Sequence, residues 1–258
     1  PMDGTKRYGQ DLHWQGPVGG PDLSCCSVNG PRPLGEIVRW AVTPVGDGWA
    51  VNYYGPCEMA LPLVDGQKLV LRQVTDYPRS GLVRIEITAA PRRQVELWLR
   101  IPGWSARTGL RVNGKPAGRP EPGTYERLRG PWRRGDLIEL SLDMRPWFWV
   151  GERECEGKAS MYRGPILLTY DRRFNPGTNP DALPAMDARA IKLRPARGNP
   201  NWPQPWVMMK ATDGHASLVL CDFATAGACG TPYRSWLPIR GLSPVPFSRA
   251  NPLRLVRP

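Results

Sequence analysis

The chain has 258 residues and no run of 18 apolar ones, so no membrane-spanning helix is expected. It shows no secretory signal, and it opens at Pro1 in a loop-like stretch, so the sequence assigns no compartment. Histidine is scarce: His13 and His215 are the only two, and neither has a visible partner. A loop or packing role suits His13 better than a substrate or metal contact, and His215 falls in a turn beside Asp213-Gly214. The six cysteines contain no C-x-x-C spacing, and they are too sparse for a small disulfide scaffold. Cys57, Cys155, Cys221 and Cys229 therefore read as buried or incidental thiols. Acidic residues are few, 23 against 35 Lys and Arg, which leaves a net charge of +12. The arginines are spread evenly, with pairs such as Arg92-Arg93, Arg133-Arg134 and Arg172-Arg173 in or beside turns. No basic helix and no aromatic RNA-binding motif accompanies them, so a specific nucleic-acid partner is not expected. No internal repeat and no low-complexity segment is present.

Breakers, by contrast, are abundant. The 28 glycines and 30 prolines stand well above the roughly 12% usual for the two together. They argue against long helices and for many short strands joined by turns. Residues 1 to 30 read as an irregular loop. From Pro31 to Val42 the apolar residues Leu34, Ile37, Val38 and Ala41 recur with helical spacing, with Asn29 placed to cap the first turn. From Trp49 on the period becomes two. Val83, Ile85 and Ile87, then Val95, Leu97, Leu99 and Ile101, then Ile138, Leu140 and Leu142 alternate with polar or large half-exposed neighbours. These are half-buried strands whose inward residues should share one core. Asn113-Gly114 marks a tight hairpin. A boundary is expected between Pro146 and Glu156, followed by a second β unit with strands at Ser160-Met161-Tyr162, Pro165 to Tyr170, Ala216 to Cys221 and Ser235 to Ile239. Residues 172 to 206 read as a long excursion rich in Pro, Asn and Arg. Strands at this spacing without intervening helices predict antiparallel sandwiches.

Cys25-Cys26 is the chemically loaded feature, set just before the helical pattern. A disulfide between neighbours would strain the peptide bond that joins them. Two thiolates can instead hold one soft metal ion, and one of them can act as a nucleophile. The plain alternative is two small buried residues that happen to be adjacent.

Several segments, in order, resemble glycoside hydrolase family 127, the β-L-arabinofuranosidase-like proteins once grouped as a domain of unknown function. They are Cys25-Cys26-Ser27-Val28-Asn29-Gly30-Pro31-Arg32, Leu97 to Ser105, Val112-Asn113-Gly114, Trp132 to Leu140, Tyr162 to Leu167, Asp222 to Gly227 and Tyr233 to Pro238. The resemblance implies a mainly β chain: two antiparallel β-sandwich domains preceded by the last loop and helix of an (α/α)6 barrel. Residues 1–46 would be the barrel remnant, 47–148 a middle sandwich and 149–258 a C-terminal sandwich. It further implies Cys25 as catalytic nucleophile and Cys25 and Cys26 as zinc ligands, with retention of configuration. The other zinc ligands and the acid/base Glu would lie upstream, since the 24 residues before Cys25 contain neither Glu nor Cys. Zn2+ would then belong to the complete protein and would not be retained by this chain.

The partner implied is an arabinofuranose-containing or related plant glycan, and a homodimer is compatible with the resemblance. Asn29 and Arg32 could orient the pair, and Trp14, Trp40 and Trp104 could stack on sugar rings, although capping and core packing explain them as well. A non-catalytic β-sandwich module that binds carbohydrate or a partner is the rival from another class, and a basic nucleic-acid-binding protein is a weaker one. The even spread of Arg predicts that DNA binding is weak and collapses as salt rises from 50 to about 200 mM, as counterion release requires. A salt titration by fluorescence anisotropy checks this, and tight sequence-selective binding at physiological salt would contradict it.

Overall fold

The computed structural model describes residues 32–198 and 204–243. They fall into two compact units, one running to Met144 and the other starting at Arg145.

The first unit opens with helix α1, Arg32–Trp40. Its apolar stripe is the one the sequence spacing predicts, yet Leu34, Ile37, Val38 and Trp40 are all exposed. The helix is tied down at its end instead. Asn52 donates from Nδ2 to the Trp40 carbonyl at 2.9 Å, and its Oδ1 accepts from the Tyr125 hydroxyl at 2.6 Å. The Asn29 cap lies outside the described residues.

Ten strands follow: β1 Val42–Val45, β2 Gly48–Val51, β3 Cys57–Pro62, β4 Lys68–Thr75, β5 Leu82–Ala89, β6 Val95–Arg100, β7 Gly109–Val112, β8 Lys115–Pro116, β9 Tyr125–Gly130 and β10 Leu137–Ser141. They form a four-stranded sheet, β1-β2-β6-β9, and a six-stranded sheet, β3-β4-β5-β10-β7-β8. Every pair is antiparallel except β2 with β6, which run parallel. Register follows the alternation, with Ile138 opposite Ile85 and Leu140 opposite Val83. One side of each sheet is therefore apolar. Val51, Val95, Leu97, Leu99 and Leu128 from the smaller sheet meet Leu69, Leu71, Val83, Ile85, Ile87, Leu110, Ile138 and Leu140 from the larger one in a single core. Each such side chain contributes about 1.5–3 kcal/mol on burial. The wet sides carry cross-strand ion pairs, Arg72 with Glu86 and Arg84 with Glu139.

The expected hairpin is present. Asn113 and Gly114 both take positive φ, 49° and 74°, as a two-residue turn between β7 and β8 demands. The Asn113 side chain also accepts from the Leu137 backbone N–H at 2.8 Å and donates to Asp136 at 3.0 Å, which pins the turn to β10.

The second unit contains β11 Pro146–Val150, β12 Ala159–Arg163, β13 Ile166–Asp171, β14 Met186–Asp187, β15 Lys192–Pro195, β16 Met208–Thr212, β17 Ser217–Asp222, β18 Tyr233–Arg234, β19 Trp236–Leu237 and β20 Ile239–Arg240. The main sheet runs β11-β12-β13-β17-β16-β15, with β18 on β13 and β19 on β12. A short parallel pair, β14 with β20, brings Met186 and Ile239 onto its core, beside Met161, Leu168, Tyr170, Met209 and Leu220. The division between the units falls just before Pro146, where a boundary is expected, and the aperiodic stretch that follows is itself a strand, since β11 pairs residue for residue with β12. The excursion from 172 to 206 carries two short strands, β14 and β15.

Beneath the loop that follows β17 lies a buried ion pair. Arg173 and Asp171 expose 2% and 0% of their side chains. Asp171 accepts from Arg173 Nη2 at 2.8 Å, from the Gly227 backbone N–H at 2.8 Å and from the Thr231 hydroxyl at 2.8 Å. Arg173 in turn donates to the Thr225 carbonyl at 2.8 Å. Burial alone would raise the Asp171 carboxyl, but the guanidinium and these donors outweigh it and hold the carboxyl below its ordinary value. A folded-state value depressed in this way adds stability at pH values above the unfolded value of about 3.9, and that stability is lost as pH falls through the folded value. Asp171→Asn leaves Arg173 buried and unpaired. It is expected to cost about 3–5 kcal/mol at pH 7 and to flatten the acid limb of the stability curve below pH of about 4. Urea titrations of both forms from pH 7 to 2.5 measure each effect.

Candidate functional site

Cys25 and Cys26 lie outside the described residues, as do His13, Trp14 and Asn29. Their nearest described neighbour in sequence is α1, whose first residue, Arg32, comes six positions after Cys26. What the structure does test is whether the rest of the chain offers a competing site.

The remaining thiols do not. Cys221 is fully buried, and burial together with the Asp171 and Asp222 charges pushes its thiol up to about 12. Cys57 sits on an exposed strand, yet partial burial raises its thiol too. Neither is a ready thiolate, the form that attacks carbon or binds metal. Cys229 is exposed and accepts a long contact from Arg173 Nη1 at 3.7 Å, while Cys155 is half-buried. All four are free. Among the described residues, no three His, Cys, Asp or Glu side chains come together as a metal-binding group.

The carboxyls that depart clearly from their ordinary values depart in the wrong direction for a general acid, which needs a raised value near neutrality. Hydrogen bonding from Arg127, then from Arg129, holds Glu96 below the usual carboxylate range. Asp213 falls to about 2 because the backbone N–H groups of Ala216, Asp187 and His215 point at it. Asp171 is depressed as described above. Each therefore stays ionised and engaged. Glu58, Glu152, Glu154 and Glu156 are exposed, as expected for solvated carboxylates. His215 sits in a turn, its backbone N–H donating to Asp213 Oδ1 at 2.9 Å.

Two further features have site-like character. A cleft of about 490 Å³ beside the Asn113 hairpin is floored by Leu128, Gly130 and Trp132 and rimmed by Arg129, Arg133 and Asp136. Its polar groups are largely spent. Trp132 donates to the Val95 carbonyl, Asp136 accepts from Asn113 and from the Arg133 backbone, and Arg129 pairs with Glu96. Trp98, on the outer side of β6, lies under the Arg127 guanidinium at 5.2 Å, and among the described residues its buried indole N–H has no hydrogen-bond partner. Sequence reasoning singled out neither, since both depend on cross-strand neighbours. Among the described residues, no helix is long and apolar enough to cross a membrane.

Residues 48–144 match a family model described as the middle domain of GH127, β-L-arabinofuranosidase. No curated protein matches the chain. Among solved structures, a protein named glycoside hydrolase superposes with a TM-score of 0.74 at 25% identity, over 84% of this chain and 40% of that one. A GH127 β-L-arabinofuranosidase from Geobacillus stearothermophilus T6 gives 0.71 at 20% identity, over 84% of this chain and 38% of that one. A further GH127 β-arabinofuranosidase gives 0.69 at 21% identity, over 84% and 39%. The chain thus spans about two fifths of the length of the structures it matches.

Proposed function

We propose, from the match of residues 48–144 to the middle-domain model of glycoside hydrolase family 127, that this chain is the β-rich part of a retaining glycoside hydrolase that removes terminal β-L-arabinofuranosyl groups from a glycan. The family-model match over the first β unit carries the reading, and the structural likeness over 84% of the chain supports it.

In this reading Cys25 is the nucleophile. Its thiolate attacks the anomeric carbon, and the departing oxygen leaves with the bonding pair and takes a proton from a general acid. Water then attacks the same carbon, gives up a proton to the group that acted as acid, and returns the C–S electron pair to Cys25. Two displacements at one carbon retain configuration. The scheme replaces the usual carboxylate nucleophile with sulfur. Thiolates are donors that zinc favours, so Cys25 and Cys26 suit two of its usual four positions. Bound there, zinc would keep the thiols ionised at neutral pH. The described residues supply neither the remaining ligands nor an acid, and those roles fall to the upstream helical domain that the family resemblance implies.

The 258-residue chain alone is expected to be inactive on an aryl β-L-arabinofuranoside and to lose zinc under mild chelation, because affinity needs a complete, oriented ligand set. Joined to the helical domain it is expected to release arabinose. General acid assistance alone contributes about 10²–10⁴-fold. In the joined protein, Cys25→Ser should abolish turnover, and Cys26→Ser should reduce zinc retention first and turnover as a consequence. Arabinose release and metal content per chain are the measurements. Near-normal turnover of the Cys25→Ser form would remove Cys25 from the role. Activity, or one tightly held zinc, in the isolated chain would place the complete site within these 258 residues.

A further inference from the structure

In the first unit β9 is the last strand of the smaller sheet and β8 the last strand of the larger one. The cleft of about 490 Å³ lies between β9 and the β7–β8 hairpin, with Leu128 and Trp132 on one wall and Val112 and Ala117 on the other. All four belong to the shared core or pack against it, so the cleft is an open side of the sandwich. At the far end of β9 the chain after β8 closes the gap, with Gly118 against the Glu126 carboxyl.

The edge that β9 turns to this opening still has bonds to make. The Ile101 N–H donates to the Thr124 carbonyl at 2.8 Å, one step beyond the β6–β9 ladder. Antiparallel bonds fall at every second pair, so Leu99 with Glu126, Leu97 with Leu128 and Val95 with Gly130 carry them. The Glu96 carbonyl accordingly lies against Gly48 of β2, away from β9. Arg127 and Arg129 fall in the other phase. Their backbone N–H and C=O groups point out of the sheet, and among the described residues no strand lies beyond β9 to take them. The local charge is positive. Glu96 is one carboxylate shared by the Arg127 and Arg129 guanidiniums. At the rim, Asp136 already accepts from Asn113 and from the Arg133 backbone, and among the described residues no carboxylate pairs with the Arg133 side chain.

We propose that β9 is a docking edge for an extended segment of a partner protein in which acidic and apolar residues alternate. Laid antiparallel on β9, such a segment takes up the free N–H and C=O groups of Arg127 and Arg129. Its residues opposite these two share their side of the sheet, where acidic side chains meet guanidiniums. The residue between them points with Leu128 into the cleft and covers apolar surface. Other occupants fit less well. A second copy of β9 would set arginine against arginine. Residues 244–258 carry Arg249, Arg254 and Arg257 and no Asp or Glu, so the end of this chain has the wrong sign. The edge makes no use of Cys25 and stands whether or not the hydrolase reading does.

Fluorescence anisotropy of a short labelled peptide of alternating Glu and Val, titrated with the full 258-residue chain at about 150 mM salt, tests it. Saturable binding is expected, and none for the analogue with Lys in place of Glu. Methylating the backbone nitrogen of a central Glu, whose N–H faces β9, should weaken binding about three- to tenfold. Methylating that of the neighbouring Val, whose N–H faces away, should change it little. Arg129→Gln and the cleft-filling Ala117→Phe should each weaken binding about two- to fivefold. Urea midpoints establish that both variants are folded, and the methylated peptides need no variant. Five outcomes overturn the site: no binding, equal binding of the Lys analogue, equal effects of the two methylations, binding that neither variant weakens, or loss of binding once the helical domain is joined, which would give the edge to that domain.

Discussion

Strand β6 sets the terms for the first unit. Val95, Leu97 and Leu99 are completely buried, while Glu96, Trp98 and Arg100 point the other way. With β2 on one side and β9 on the other, this strand is an interior member of its sheet, and its apolar side meets the larger sheet across one core. A slip of one residue would turn every one of these side chains toward water and bring the charges in. The positions of Arg127 and Arg129 follow from the same register, since both reach Glu96 from the neighbouring strand. The electrostatics on the outside of the sheet are thus a consequence of what is packed on the inside.

The second unit relies on a different device. Its main core is apolar, but the loop between β17 and β18 is held by a buried ion pair and a dense set of hydrogen bonds. Desolvating two charges is expensive, and a pair of this kind often adds little net stability compared with an apolar replacement. What it supplies is a defined loop shape. Arg173 also lies over the Phe174 ring at 4.8 Å, so the same guanidinium packs and bonds at once.

Much of the fold was legible in the sequence because alternation is a local signal. Val83, Ile85, Ile87, Ile138, Leu140 and Leu142 are all buried in the shared core, as their spacing predicts, and Asn113-Gly114 turns the chain where its φ preferences allow. Local pattern failed where the determinant was a distant partner. Nothing in Pro146–Val150 announces a strand, because all five residues are half-buried and give no alternation. The parallel pairing of β2 with β6 has no local mark either. Helix α1 shows the converse: its periodicity was readable, but periodicity reports which side is apolar and not what lies against it. Cys25-Cys26 lies outside the described residues, and as a candidate it rests on its place in a family-like order of motifs. The edge-on contact of Phe223 with Tyr233 was not legible at all, since it depends on strand pairing and on the loop that Asp171 holds.

The parallel β2–β6 contact also bears on how the first unit comes to be assembled. Gly48 faces Glu96, and between them the chain travels through β3, β4 and β5, which belong to the other sheet. The central contact of the smaller sheet therefore closes a long loop, at an entropic cost that the local β3–β4 hairpin does not bear. The larger sheet can begin to zip from neighbours in sequence, while the smaller one must wait for that meander to bring its two middle strands together. Contacts of this kind lower folding rates without lowering final stability. A nascent or partly unfolded chain would pass through a stage in which the meander is formed and β2 still has an open edge, the stage at which pairing with another chain competes with the native partner.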